Sequence, residues 1–302
     1  MKMVSKTGGK FLLNYPKAIS DFEAVMKKFP VKKILYRNIF RGKGLEFDSY
    51  RVFEQDDDAS FIDWKASLRG NQLLAKKYIE ERDLNIYFLI DVSSSMLFGS
   101  GNKLKSEFAA EFAAALGHLI LGSGDRIGLV MFNDDVVKFL QPGNGKNQFG
   151  MFTKFLADES LYGGGFDLKK AIENVLRSVS SPYTIFIVVS DFINTKKDNF
   201  PKLKLLGTRF ETISVMVRDR LDEELPKGNY QFSVQDPYSG RQVILDPNIA
   251  GDRYRKNVVR KKNIVKNMMK SSQIDSLELI TDKGFVVPTL KFLRARAMGE
   301  RI

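Results

Sequence analysis

The sequence predicts an α/β protein with a mostly parallel central sheet and helices on both faces. Short apolar runs at Ile86–Ile90, Ile127–Phe132, Thr184–Val189 and Thr212–Val217 read as strands. The longer segments between them place apolar residues at helical spacing. Strand and helix alternate along the chain, the pattern that gives parallel sheets covered by helices.

Taken in order, Ile19, Phe22, Val25, Met26 and Phe29 predict an amphipathic helix after Pro16, ending at about Phe29 before Pro30. Arg41 to Arg82 is dense in Gly, acids and isolated aromatics. Ile86–Ile90 then ends in Asp91-Val92-Ser93-Ser94-Ser95. The helix that follows has Leu104, Phe108, Phe112, Ala115, Leu116 and Leu119 on one face and stops at Gly122-Ser123-Gly124-Asp125. Ile127–Phe132 turns through Asn133-Asp134-Asp135 into Val136–Leu140 as a hairpin.

Lys146–Leu156 reads as helix, Gly163-Gly164-Gly165 as a loop, and Asp167 as the cap of a helix over Leu168–Val179. Thr184–Val189 ends in Ser190-Asp191. A short helix over Phe200–Leu206 precedes strand Thr212–Val217. Phe232–Val234 and Gln242–Leu245 flank Asp236-Pro237-Tyr238-Ser239-Gly240 as an inserted hairpin. A basic helix over Arg253–Met269, a strand at Leu277–Ile280 and a helix over Pro288–Ala297 complete the chain. The expected organisation is a basic helix and acidic, aromatic extension over 1–84, a domain over 85–297 with a hairpin insertion at about 226–246, and a tail over 298–302.

Composition narrows the chemistry. The 302 residues include no Cys and one His, which excludes disulfides, thiolate zinc and iron–sulfur clusters and argues against an imidazole metal centre. A bound metal would therefore be a hard ion held by oxygen. No apolar stretch approaches the roughly 18–20 residues of a membrane span, and the expectation is a soluble, cytoplasmic protein. Net charge is +12. Residues 1–44 carry 11 basic and 2 acidic side chains, a net of +9, and residues 251–302 carry 13 and 5, a net of +8. The middle is net −5. Basic ends suit an acidic partner or solubility; no aromatic-interleaved nucleic-acid motif accompanies them.

Ligands in such sheets bind beyond the carboxyl ends of the strands. Asp91 and Asp191 each follow a buried strand, so both belong to that edge. Ser93 and Ser95 lie two and four residues past Asp91, in the turn entering a helix. Two hydroxyls and two carboxylates make an all-oxygen site for Mg²⁺ or Mn²⁺. Hydroxyls dilute the site's negative charge and leave the ion able to take an outside carboxylate. The competing reading is an N-capping turn.

Leu89–Met96, Gly124–Phe132, Gly163–Leu168 and Val188–Asp191 resemble the von Willebrand factor A domain and its metal-ion-dependent adhesion site. Gly42–Phe47, Arg51, Asp56-Asp57-Asp58, Ile62-Asp63-Trp64, Ser67, Arg69, Lys76 and Glu80-Glu81-Arg82 resemble the signature of a large bacterial subfamily of such proteins, as do Asp236–Gly240 and Tyr254. The resemblance implies a Rossmann-like fold, a metal held directly by Ser93 and Ser95 and through water by Asp91 and Asp191, and a MoxR-type AAA+ ATPase as partner. It implies an adaptor or chaperone subunit, not an enzyme, with the Gly163, Gly164, Gly165 and Phe166 loop facing the partner. Phe166 stands where the family has a Thr ligand, and a phenyl ring has no lone pair. Asp167 is the adjacent candidate to compensate, against its role as a helix cap.

Other readings are weaker. Nucleic-acid association through the basic ends is the runner-up. A metal-dependent hydrolase would rest on Asp56, Asp57, Asp58 and Asp63, which also read as a charged turn paired to Arg51 or Arg69. His118 near a helix end reads as structural, and no Gly-x-Ser-x-Gly elbow exists for a hydrolase triad. Gly143-Asn144-Gly145-Lys146 lacks the spacing and the Ser or Thr of a phosphate loop.

Overall fold

The computed structural model describes residues 11–26, 47–54, 59, 62–78, 84–226, 228–229, 231–236 and 238–298. Helix α1 spans Tyr15–Met26; the predicted end at Phe29 and Pro30 lies outside the described residues. A small ribbon follows, β1 (Phe47–Val52) antiparallel to β2 (Leu74–Tyr78), with α2 (Trp64–Gly70) between them. These elements are too short to declare themselves by periodicity.

The main body comprises β3 (Asn85–Asp91), α3 (Lys105–Gly122), β4 (Arg126–Phe132), β5 (Val136–Gly143), α4 (Gly145–Leu156), α5 (Leu168–Ser178), β6 (Thr184–Ser190), α6 (Phe200–Arg209) and β7 (Glu211–Arg218). A four-residue turn of helix, α7 (Arg220–Glu223), leads to the hairpin β8 (Phe232–Gln235) and β9 (Gln242–Leu245). Then come α8 (Pro247–Ser271), β10 (Asp275–Ile280) and α9 (Val286–Ala297). Helix α8 starts earlier than predicted because Asp246 caps it, accepting from Asn248 N, and Pro247 suits its first turn. Strand β5 runs on to Gly143, where Ile127 still pairs with it.

Six strands form one mixed sheet in the order β10-β7-β6-β3-β4-β5, parallel throughout except for the antiparallel edge strand β5. Helices cover both faces. Ile86, Phe88 and Ile90 of β3 point into one core with residues of α1, α3, α4 and α9. Tyr87 and Leu89 point into the other, with residues of α5, α6 and α8. Burial on both faces is why these strands read as continuous apolar runs. At β4, a Cβ on Gly128 would meet the Tyr87 ring at 2.7 Å, so glycine lets that ring cross the sheet.

The N-terminal segment is tied down by acids. Leu12 N donates to Glu107 Oε1 at 2.6 Å and Asn14 N to Glu111 Oε1 at 2.8 Å. Both glutamates are buried, and each amide meets one of their oxygens, while Leu104 N donates to the other oxygen of Glu107 and Lys103 pairs with that of Glu111. Among the described residues, no helix is long and apolar enough to cross a membrane.

Candidate functional site

Parallel register sets the site. Ile90 of β3 pairs with Val189 of β6, so Asp91 stands level with Ser190 and Asp191 lies one residue beyond. Ser190 Oγ donates to Asp91 Oδ2 at 2.6 Å, and Ser93 N donates to Asp91 Oδ1 at 2.9 Å. Asp91, Ser93, Ser95 and Asp191 are all buried at this rim. Ser93 Oγ and Ser95 Oγ stand 3.2 Å apart. Two adjacent ligands about 2.1 Å from an octahedral ion stand about 3.0 Å apart, so the hydroxyl spacing fits Mg²⁺ or Mn²⁺. Ser93 makes no side-chain cap bond to the 3₁₀ turn at Ser94–Leu97, which leaves the capping alternative without support at that residue.

Asp191 has a partner that the sequence did not suggest. Lys105, at the first position of α3, is buried and donates to Asp191 Oδ2 at 2.7 Å and to Asp222 Oδ2 at 2.9 Å. The Phe98 ring lies 5.8 Å from its ammonium. Burial alone would lower the lysine, but Asp191 and Asp222 outweigh it and raise it above the usual range. Burial alone would raise Asp191, but Lys105 outweighs that and holds its carboxyl below the usual carboxylate range. Asp222 is raised, burial being the larger effect and Lys105 opposing it. Asp91 has no such cation, and burial followed by repulsion from Asp191 pushes it up to about 7.

The glycine loop meets the serine turn by main chain. Gly163 N donates to Val92 O at 2.7 Å and Ser94 N to Gly164 O at 3.1 Å. Gly163 and Gly164 have φ of 116° and 80°, open to glycine and costly for other residues. Gly165 N donates to Asp134 Oδ2 at 2.6 Å, and a Cβ on Gly165 would collide with that carboxylate. Phe166 turns inward: its ring lies 5.9 Å from that of Phe132, against the second core. Asp167 caps α5, its Oδ1 accepting from Lys170 N at 2.9 Å.

Sequence reading missed Lys105, Ser190, Asp222, Asp134 and the position of Tyr238. Tyr238, on the β8–β9 hairpin, donates to Ser93 Oγ at 3.2 Å. Ser190 was signalled by its place before Asp191, and Tyr238 by its place in the Asp236–Gly240 segment; Lys105, Asp222 and Asp134 had no local signal. His118 Nε2 faces Glu23 Oε1 at 3.3 Å and its ring lies 5.4 Å from that of Phe149, a packing position between α1 and α4. Asp63 caps α2 through Lys65 N and Ala66 N, and accepts from the Tyr50 hydroxyl at 3.1 Å. Asp56, Asp57 and Asp58 lie outside the described residues. Among the described residues no group of three or more His, Cys, Asp or Glu could hold a metal, so any ion here depends on the serine hydroxyls.

A family model described as "Protein of unknown function DUF58" matches residues 49–264. The chain belongs to the DUF58 family. The match runs from β1 into α8 and takes in every residue of the rim, while α1, β10 and α9 lie outside it. "Uncharacterized protein Mb1516" of Mycobacterium bovis and "Uncharacterized protein Rv1480" of Mycobacterium tuberculosis are each 25% identical over 262 residues, covering 85% of this chain and 81% of theirs. Among solved structures, the conserved hypothetical protein BatB from Bacteroides thetaiotaomicron is similar at a TM-score of 0.47 and 15% identity, over 72% of this chain and 100% of that one. An aerotolerance-related membrane protein from Bacteroides fragilis follows at a TM-score of 0.43 and 14% identity, over 72% and 99%.

Proposed function

We propose that this DUF58 chain is a non-catalytic, cytoplasmic protein-interaction module of von Willebrand factor A type. Its rim at Asp91, Ser93, Ser95 and Asp191 docks a carboxylate of a protein partner, and that partner is a MoxR-type AAA+ ATPase. The fold reading is supported by the sheet order with its antiparallel edge at β5 and by the Asp-x-Ser-x-Ser turn at the end of a central strand.

The observation that carries the site is the pair of buried hydroxyls 3.2 Å apart beside a carboxyl pushed up to about 7. Asp91, Asp191 and Asp222 lie beside Lys105 and Arg218, three acids to two cations, and the remaining negative charge is one that a cation would relieve. Ser93 and Ser95 would hold Mg²⁺ or Mn²⁺ directly, with Asp91 and Asp191 behind them. When bound, such an ion supplies positive charge to attract a partner's carboxylate. Phe166 contributes no oxygen, and Asp167 is committed to its helix. The chain's own part is to orient Asp91 through Ser190 and Ser93 N, and to keep the glycine loop against the rim.

The test is capture of the ATPase from native cells by tagged protein. Wild type is expected to retain it with Mg²⁺ and to lose most of it with chelator or in Asp91→Ala. Equal capture by Asp91→Ala and wild type refutes the rim as the docking site.

A further inference from the structure

The buried ammonium of Lys105 bridges two carboxylates, Asp191 just past β6 and Asp222 in α7, at the edge of a site whose other groups are hydroxyls and one acid with no cation beside it. We infer that Lys105 is a tethered counter-ion that sets the cation affinity of the rim: it neutralises Asp191 and leaves a divalent ion too weakly held to stay without a partner's carboxylate. This rests on the ion reading above and adds its regulation.

The geometry is specific. Lys105 reaches Asp191 at 2.7 Å and Asp222 at 2.9 Å, and its side chain is 1% exposed. Asp191 Oδ1 accepts from Ile193 N at 2.9 Å, so both of its oxygens are engaged. Affinity in oxygen-ligand sites follows the count of ligand charges. With Asp191 and Asp222 on Lys105, and Arg218 adding a second positive charge near Asp191, Asp91 is the rim acid with no cation beside it, and it meets the ion by giving up its proton. An ion seated on two hydroxyls and one acid keeps much of its own charge, and an incoming carboxylate is then both its attractant and its missing ligand. Ion and partner therefore bind with positive coupling, each tightening the other by the same factor.

Lys105 acts through Asp191 and is a positioning residue. Its test is Mg²⁺ titration of the full chain by calorimetry and thermal shift, with Mn²⁺ as a second probe. Lys105→Met is expected to bind Mg²⁺ about tenfold more tightly than wild type, and Lys105→Arg to restore the wild-type affinity. Should Lys105→Met fail to fold, the pair Lys105→Met with Asp222→Asn removes one of the stranded acids and is expected to show the same gain. Equal or weaker binding in the folded variants overturns the role of Lys105 and leaves the docking rim standing. No Mg²⁺ or Mn²⁺ binding in any variant overturns both this inference and the ion reading.

Discussion

The phenol of Tyr238 donates to Ser93 Oγ at 3.2 Å, which places the tip of the β8–β9 hairpin over the hydroxyl that the candidate ion would use. The hairpin projects into solvent, with Val243 and Ile244 exposed, so this contact is a tether from an otherwise outlying element. A partner that reaches Ser93 meets Tyr238 first.

Removing that hydroxyl in Tyr238→Phe is expected to change stability by no more than about 1 kcal/mol, the net value of one neutral hydrogen bond. Hydrogen exchange across 232–245 is expected to speed up while the central strands stay protected. Unchanged exchange in the hairpin counts against the tether.

Asp91 gives the protein a pH dependence of definite sign. Its folded carboxyl sits at about 7, above the ordinary value of 3.8. Below pH 4 both folded and unfolded states hold the proton; between about 4 and 7 the unfolded state releases it first. Stability contributed by the protonated form is therefore lost as pH rises through that window, by a few kcal/mol at most. Urea unfolding at pH 5, 6, 7 and 8 is expected to show this loss in wild type and a flatter profile in Asp91→Asn, whose amide oxygen can accept from Ser93 N while its NH2 donates to Ser190 Oγ. Parallel profiles for the two proteins contradict the assignment.

Phe166→Thr separates the two duties of that position. The ring leaves its place against Phe132, and a half-buried aromatic truncated there is expected to cost about 1–3 kcal/mol. If the rim lacks a ligand on this side, the new hydroxyl raises Mg²⁺ affinity on the order of tenfold. Calorimetry at matched folded fractions decides it, and an unchanged affinity places position 166 away from the ion.

Arg296 offers a control remote from the rim. It is buried on α9 and pairs with Glu211 and Asp275, which ties the last helix to β7 and β10. Arg296→Ala strands two acids and is expected to cost about 3–5 kcal/mol with no change in Mg²⁺ affinity of the folded protein. A change in ion binding would show that the C-terminal helix is coupled to the site.

Much of the architecture was readable because burial on both faces writes long apolar runs into β3, β4, β6 and β7. The same signal located Asp91 and Asp191, since each is the first acid after such a run. The ribbon with α2 was not readable, because its strands alternate neither cleanly nor long. Helix α7 has four residues and no periodicity to detect.

By itself, then, the sequence determined the α/β class and the edge on which Asp91, Ser93, Ser95 and Asp191 gather, and it put a phenyl ring at Phe166, beside the Asp167 cap. Tertiary structure alone decided that Phe166 faces the core and that Lys105 holds Asp191 and Asp222. It also decided that Tyr238 rests on Ser93. Those partners lie 86, 117 and 145 residues apart in the chain, and pairing across such distances follows from strand order and helix packing, which no local pattern records.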